Sequence, residues 1–528
     1  MEINKKRLLC VLLGIGLIIL LTITYWTNFL NPYNGHYGEL SSNSEMLVTG
    51  AIYHQYRGGG AASYGLGLSS PANITATRHN AGNYLTDEEK GFVSGFCITA
   101  PVIAVADNET DRANYVVGNV IAFATGIKCE ITEVTAEDIY LYVTYDYNEV
   151  LTEETAGTLE LARVYDTDGN LPAQSVRGNY ESQYGLQGKV FRKISVLFPV
   201  LQMRNMLKLI CAAAMALVAV GIIFLLKKKF GIGMAVTFFF VFLLSPWIVG
   251  FASNMYWLES LLFLPMLIGL WCSLQVEKRY ARILSYIGGF GAIFVKSLCG
   301  YEYITVVMMS LVVFLLADVT IALLQKANQK KKILLFRTIF MIGVSALLGF
   351  FAALLIHARI RGNGDIGAGL LSIYEKDVLR RTLGGSAGEF DPAYAESLNE
   401  TIGSVLAMYF DFTNSPYGAQ LVLGISGKWF PVLAVLSSAL VIGQCIRRKK
   451  VESVHLLYFW MLLSGISWFV LGKAHSVVHT HLNYLMWYFG YVQMIFYVVG
   501  RCVVDLWRKM WYNGKKHWHV FRNEEGTV

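Results

Sequence analysis

Charge is scarce in this chain. Only 15% of its 528 residues are Asp, Glu, Lys or Arg, where a soluble protein of this size carries roughly 25%. An ordinary soluble globular domain is therefore excluded. No C-x-x-C pair occurs, so a zinc or thioredoxin-like motif is not expected. There is no internal repeat and no low-complexity segment. No small-x-small cleavage site follows the first apolar run, which argues against a removed signal peptide. The net charge of +7 does not signal nucleic acid, because the basic residues sit in short loops between apolar runs.

Hydrocarbon is what the chain has in abundance. Hydrophobic residues make up 55% of it, and the mean hydropathy is +0.46. Runs of about 20 apolar residues recur, each long enough to cross a bilayer as a helix. A spanning segment must satisfy its backbone hydrogen bonds internally. The expected fold class is therefore an α-helical polytopic membrane protein. Spans are predicted near 8–30, 206–226, 231–252, 256–275, 281–299, 303–325, 333–356, 429–446, 453–472 and 482–505. Ten spans put both termini on one side. Lys5-Lys6-Arg7, Lys227–Lys229, Lys278-Arg279, Lys330–Lys332, Arg447–Lys450 and Arg508-Lys509 then fall on that side, which the positive-inside rule makes cytoplasmic.

The organisation follows. Residues 1–30 hold the first helix, 31–64 an outer-face amphipathic segment, and 65–190 a small β-rich extracytoplasmic domain. Residues 191–356 hold helices two to seven, 357–428 an outer loop with an interfacial helix, 429–505 the last three helices, and 506–528 a cytoplasmic tail. In the outer segment, Met46, Leu47, Ala51 and Ile52 are expected on the membrane surface. GNVIAFATGIKCEITEV and DIYLYVTYDYNEVLTEE alternate as strands do. Tyr165 to Asn170 reads as a hairpin turn. Cys97 and Cys129 lie in this polar domain and are candidates for a disulfide. LLSIYEKDVLRRTLGG has helical spacing, and Asp391-Pro392 and Asn414-Ser415-Pro416 mark turns.

Ionisable residues collect at the outer ends of the spans. They are Glu39 and Glu45, Glu259, Lys296, Glu302, His357, Arg359, Arg361, Lys473, His475, His479 and His481. Ionisable groups at membrane depth point to function by default. Each also has a plain structural reading. Lys296 and Glu302 can simply pair, Arg359 and Arg361 can snorkel, and Glu259 can answer a helix amino end. His475 and His479, one helical turn apart, are alternatively metal ligands.

The strings HYGELSSNSEMLVTGAIYHQY, YESQYGLQGKVF, NMYWLESLLFLPMLIG, VKSLCGYEY and GKAHSVVHTHLNYLMWYFG resemble those of uncharacterised bacterial GT-C glycosyltransferases. Such enzymes take sugars from polyprenyl-phosphate donors on the outer face of the plasma membrane. The resemblance implies an acidic base soon after the first span, a position that Glu45 or Glu39 fills. Isolated glutamates stand where the class has paired Asp, and the domain in the first outer loop is an addition. Removing a hydroxyl proton needs such a carboxylate, and the departing lipid phosphate needs cations. Lys296, Arg359, Lys473 and His475 are expected to hold that phosphate, with His479 and His481 orienting donor or acceptor. Glu259 and Glu302 complete the expected substrate-binding set. Tyr256, Trp257, Tyr301 and Tyr303 are expected to stack on sugar faces. The resemblance implies no cofactor and no divalent metal. The partners are the bilayer, a polyprenyl-phosphate sugar and a glycan or lipid acceptor. A flippase of lipid-linked sugars, or a receptor using the outer domain, are the competing readings.

Overall fold

Apolar runs without internal breakers form the helices of this computed structural model, which describes residues 2–30, 36–57, 59, 60, 62–69, 102–137, 140–146, 162–170, 177–379, 382, 400–412, 420–478 and 482–524. Helix α1 covers Glu2–Thr27 and α2 His36–Tyr56. A short strand β1 (Gly67–Ser69) leads into the outer segment, with β2 (Val102–Ala106), α3 (Glu109–Asn114), β3 (Val120–Ala122), β4 (Lys128–Glu137), β5 (Tyr140–Tyr145), β6 (Arg163–Tyr165) and β7 (Arg177–Asn179). Five strands form one antiparallel sheet in the order β2-β5-β4-β3-β6. Its core is Ile121, Phe123, Ile131, Leu141, Val143 and Tyr145. Cys129 lies buried in β4, whereas Cys97 lies outside the described residues.

Asp166 to Asn170 form a turn, closed by Asp166 N–H to the Asn170 carbonyl at 2.7 Å. Residues 171–176, which follow it directly, lie outside the described residues, and the next strand, β7, pairs with β1. One expectation for this part changes. Helix α2 does not lay Ala51 and Ile52 on the membrane surface. Both are buried, and Ile52 belongs to the main hydrophobic core along with Val48 and Tyr53.

The membrane part resumes after the amphipathic helix α4 (Leu186–Ser195). It holds α5 (Met203–Phe230), α6 (Ile232–Leu244), α7 (Pro246–Ala252), α8 (Glu259–Leu274), α9 (Arg279–Cys299), α10 (Ile304–Leu324) and α11 (Gln329–Arg361). After α11 come the short α12 (Ile366–Ile373), which packs on α11 and runs on as a π-turn to Leu379, and α13 (Ile402–Phe410). A small hairpin, β8 (Gln420–Val422) with β9 (Ile425–Ser426), precedes α14 (Phe430–Arg448). Helices α15 (Ser453–Leu471), α16 (Lys473–Val478) and α17 (Tyr491–Glu524) follow. The turns sought at Asp391-Pro392 and Asn414-Ser415-Pro416 lie outside the described residues.

Seven of these helices are long and apolar enough to cross a membrane, or eight if the bent pair α6–α7 is one span. The chain is thus a multi-pass helical membrane protein. The bend is 65°, and Ser245-Pro246 explains it. Pro246 lacks the amide that would continue α6, and Ser245 Oγ instead accepts from Ile248 N–H at 3.3 Å, capping a new helix. Helix α8 has only 16 residues. The stretch 482–505, expected as one span, is divided. Asn483–Tyr488 form a buried 3₁₀ turn, and Gly490, at φ +114°, separates it from α17. The turn is held by its aromatics. Trp487 Nε1–H donates to the Tyr409 carbonyl at 2.9 Å, and the Tyr488 hydroxyl donates to that of Leu421 at 2.5 Å.

The two ends of the bundle differ. Lys229, Lys278, Asp318, Lys331 and Ser453 come from five different helix ends and border one cavity. Helix α9 runs from that face, and its 21 residues rise about 30 Å, one hydrocarbon thickness. Lys296 lies in its last turn.

Candidate functional site

The site is built on the turn between α7 and α8. Asn254 Oδ1 accepts the backbone N–H groups of Tyr256 at 2.9 Å and Trp257 at 3.2 Å. This Asx-type turn fixes both aromatic residues. The Asn254 amide also donates to Ser44 Oγ at 3.4 Å, tying the turn to α2. The next residue on α2 is Glu45, which is 2% exposed. Its carboxylate pairs with Arg204 at 2.9 Å and Lys208 at 3.7 Å, one turn apart at the start of α5.

Glu302 lies on the other side of the same turn. Its Oε1 accepts from the Tyr256 hydroxyl at 3.1 Å and from Gln183 Nε2–H. Gln183 also donates to the Tyr256 oxygen at 2.6 Å. Lys296 Nζ stands 4.0 Å from Glu302 Oε2 and donates to the Gly300 carbonyl at 2.7 Å. Gln187, on α4, donates to the Cys299 carbonyl at 2.7 Å. Lys296 is 3% exposed, so the pair of charges is enclosed. A Cβ at Gly300 would meet the Glu302 carboxylate and Gln183 Oε1, so both side-chain ends would have to shift.

Glu259 differs from both. It is fully buried, and neither of its oxygens has a hydrogen-bond partner among the described residues. Trp257 Nε1, Ser297 Oγ and Trp468 Nε1 are likewise buried without a hydrogen-bond partner among the described residues. Each such group costs about 1–3 kcal/mol, and native proteins leave few of them without cause. The backbone is strained beside both glutamates. Leu258, before Glu259, and Tyr303, after Glu302, have φ of +44° and +61°, a region that bulky residues avoid. Strain of this kind gathers at functional sites.

Ring contacts join this turn to α16. Trp257 stacks on Tyr303 at 5.6 Å, Tyr303 meets Trp468 at 5.3 Å, and Trp468 meets His475 at 5.7 Å. Lys473 and His475 are half-buried on α16. His479, His481 and the Glu39 side chain lie outside the described residues, although the Glu39 backbone belongs to α2. Tyr256 and Trp257 are themselves packed, 5.0 Å apart, with 7% exposure each.

Arg359 is exposed on α11. The enclosed guanidinium of that helix end belongs to Arg361. It pairs with Asp377 at 2.9 Å and donates to the Glu181 carbonyl at 2.6 Å. His357 approaches the same carbonyl through Nε2 at 3.0 Å, while its Nδ1 meets the Tyr301 hydroxyl at 3.1 Å. If Tyr301 donates there, Nε2 carries the proton, and both donors fix Glu181 two residues before Gln183. Tyr64 packs edge-on to His357. Burial first, then the charge of Glu181, pushes its phenol above the ordinary value.

Sequence reasoning missed Gln183, Gln187, Asn254, Arg204, Lys208 and the role of Arg361. Gln183 and Gln187 stand in YESQYGLQGKVF, and Arg204 and Lys208 are spaced i, i+4 at the outer start of a span. Those were the available signals. No cluster of three or more His, Cys, Asp or Glu with metal-ligand placement occurs among the described residues. No family model, curated protein or solved structure matches the chain.

Proposed function

We propose that this chain is a bacterial plasma-membrane glycosyltransferase of the GT-C kind. It moves a sugar from a polyprenyl-phosphate donor to a glycan or lipid acceptor outside the cell. In this reading α8 and α17 join the eight apolar spans to make ten, with both termini cytoplasmic and the 65–190 segment as an outer β-rich domain. The observation that supports it most is the turn 253–259. Through Asn254, Tyr256 and its own Glu259, that turn joins three buried acids from α2, α8 and the α9–α10 link to Lys296.

Glu45, then Glu39, is the proposed base that accepts the acceptor's hydroxyl proton. Its ion pairs with Arg204 and Lys208 hold the carboxylate in one place. Lys296, Lys473 and His475, with Arg359 from the rim, are the proposed cations for the lipid phosphate leaving group. Direct displacement is balanced this way. The acceptor oxygen bonds to the anomeric carbon, the bond to phosphate breaks, and the hydroxyl proton passes to the carboxylate. Glu259 and Glu302 are proposed to bind sugar hydroxyls, with Tyr256 and Trp257 against the ring face. Glu45→Gln tests this directly, because it keeps shape and removes the base. A second reading, a flippase of lipid-linked sugars, draws on the cavity at the Lys-rich face. It predicts sugar-lipid crossing vesicles with no new glycosidic bond.

A further inference from the structure

At the bundle end opposite the candidate site, a cavity of about 520 Å³ opens between helix ends. Ligand pockets span roughly 300–1,000 Å³. Its inner wall carries Lys229, Ser273 and Asp318. Lys229 Nζ donates to both Asp318 oxygens at 2.9 Å and to Ser273 Oγ at 2.6 Å, and Ser273 donates to Asp318 at 2.5 Å. The negative charge of Asp318 is thus answered inside the wall. The mouth carries Lys278 and Lys331, both exposed, and neither forms an ion pair among the described residues. The exposed carboxylate of Glu277 is an opposing charge on this rim. Leu274, Val276 and Ile321 give the cavity an apolar floor.

Helix direction adds to the positive character. Lys278 caps the start of α9, Lys331 lies in the first turn of α11, and Ser453 opens α15. The amino end of α11 is capped by the Asn328 side chain and that of α15 by the Glu452 carboxylate, whereas that of α9 has no side-chain cap. Helix amino ends attract anions, and lysine meets phosphate as a point charge.

We propose that this cavity binds a phosphate group, carried either on a phospholipid headgroup or on a soluble phosphate ester. Binding uses Lys278, Lys331 and the amino end of α9, while the Lys229–Asp318 pair holds the wall. It is independent of the chemistry at the opposite face.

The test is native mass spectrometry of the purified full chain, with phosphatidylglycerol, phosphatidylcholine or inorganic phosphate added. The wild type retains phosphatidylglycerol in preference to phosphatidylcholine. Lys278→Ala/Lys331→Ala weakens that retention on the order of tenfold. Lys227→Ala/Lys228→Ala, which removes the same charge just outside the cavity, leaves it unchanged. If inorganic phosphate displaces the lipid, or binds alone in the same lysine-dependent way, the site takes soluble phosphate and the proposal stands. The Lys278→Gln/Lys331→Gln pair replaces the alanine pair if that one misfolds. Equal retention of the two lipids with no effect of phosphate overturns the proposal. So does an equal loss in the two lysine-pair variants.

Discussion

The Tyr256 hydroxyl donates to Glu302 Oε1 at 3.1 Å, across 46 residues of sequence. Lys296 supplies the only full positive charge in an ion pair with that carboxylate among the described residues. Removing the cation alone strands a buried charge. Lys296→Met should therefore destabilise the protein by about 3 kcal/mol. Adding Glu302→Gln should return more than half of that loss. Denaturant unfolding of both variants in one detergent measures it. An unchanged midpoint for Lys296→Met would show that the pair holds nothing.

Glu259 should behave in the opposite sense. Its oxygens have no hydrogen-bond partner among the described residues, so an apolar replacement removes a desolvation cost. Glu259→Leu is expected to stabilise the protein by about 1–2 kcal/mol while sugar transfer falls to background. Stability gained with activity lost is the mark of a functional site. A loss of both would mean that Glu259 serves packing instead.

The two arginines at the end of α11 should separate sharply. Arg361→Met removes an enclosed ion pair with Asp377 and should cost about 3 kcal/mol. Asp377→Asn in the same chain should recover much of it. Arg359→Ala, on the exposed face, should stay within about 0.5 kcal/mol of wild type. Thermal melts of the three variants decide this. Equal effects of Arg359→Ala and Arg361→Met would contradict the assignment.

In the outer segment, Arg112 donates to Asp107 through two bonds, at 2.5 and 2.6 Å. That bonding, the largest cause, holds the Asp107 carboxyl below its ordinary 3.8. A carboxyl depressed in the folded state adds stability that is fully present above its unfolded value. The contribution is lost as pH falls through the folded value. The difference in melting temperature between wild type and Asp107→Asn should therefore be largest near neutral pH and vanish below the folded value. A difference that grows on acidification would reverse the sign.

Periodicity and length made the membrane class legible, because a spanning helix has few ways to be written. The lysine-rich loops were legible for the same reason, and their residues do gather at one bundle end. The pairing of Lys296 with Glu302 was visible as a short-range alternative, since a single turn separates them. Gln183 was not, because it reaches Glu302 across 119 residues through an element outside the bundle. The split at Gly490 was hidden inside an apolar run. What divides that run is a carbonyl from Tyr409 and another from Leu421, and local hydropathy carries no trace of either. Arg359 and Arg361 look alike in sequence, and only the position of Asp377 tells them apart.

The central reading is that Glu45 accepts a proton during sugar transfer from a lipid phosphate. The most direct measurement reconstitutes wild type and Glu45→Gln in vesicles with radiolabelled polyprenyl-phosphate sugars and a cell-envelope acceptor. Wild type is expected to move label from lipid to acceptor. Glu45→Gln is expected to move at least a hundredfold less while melting within a few degrees of wild type. Equal transfer by both proteins, or label that crosses the bilayer still attached to its lipid, would contradict it.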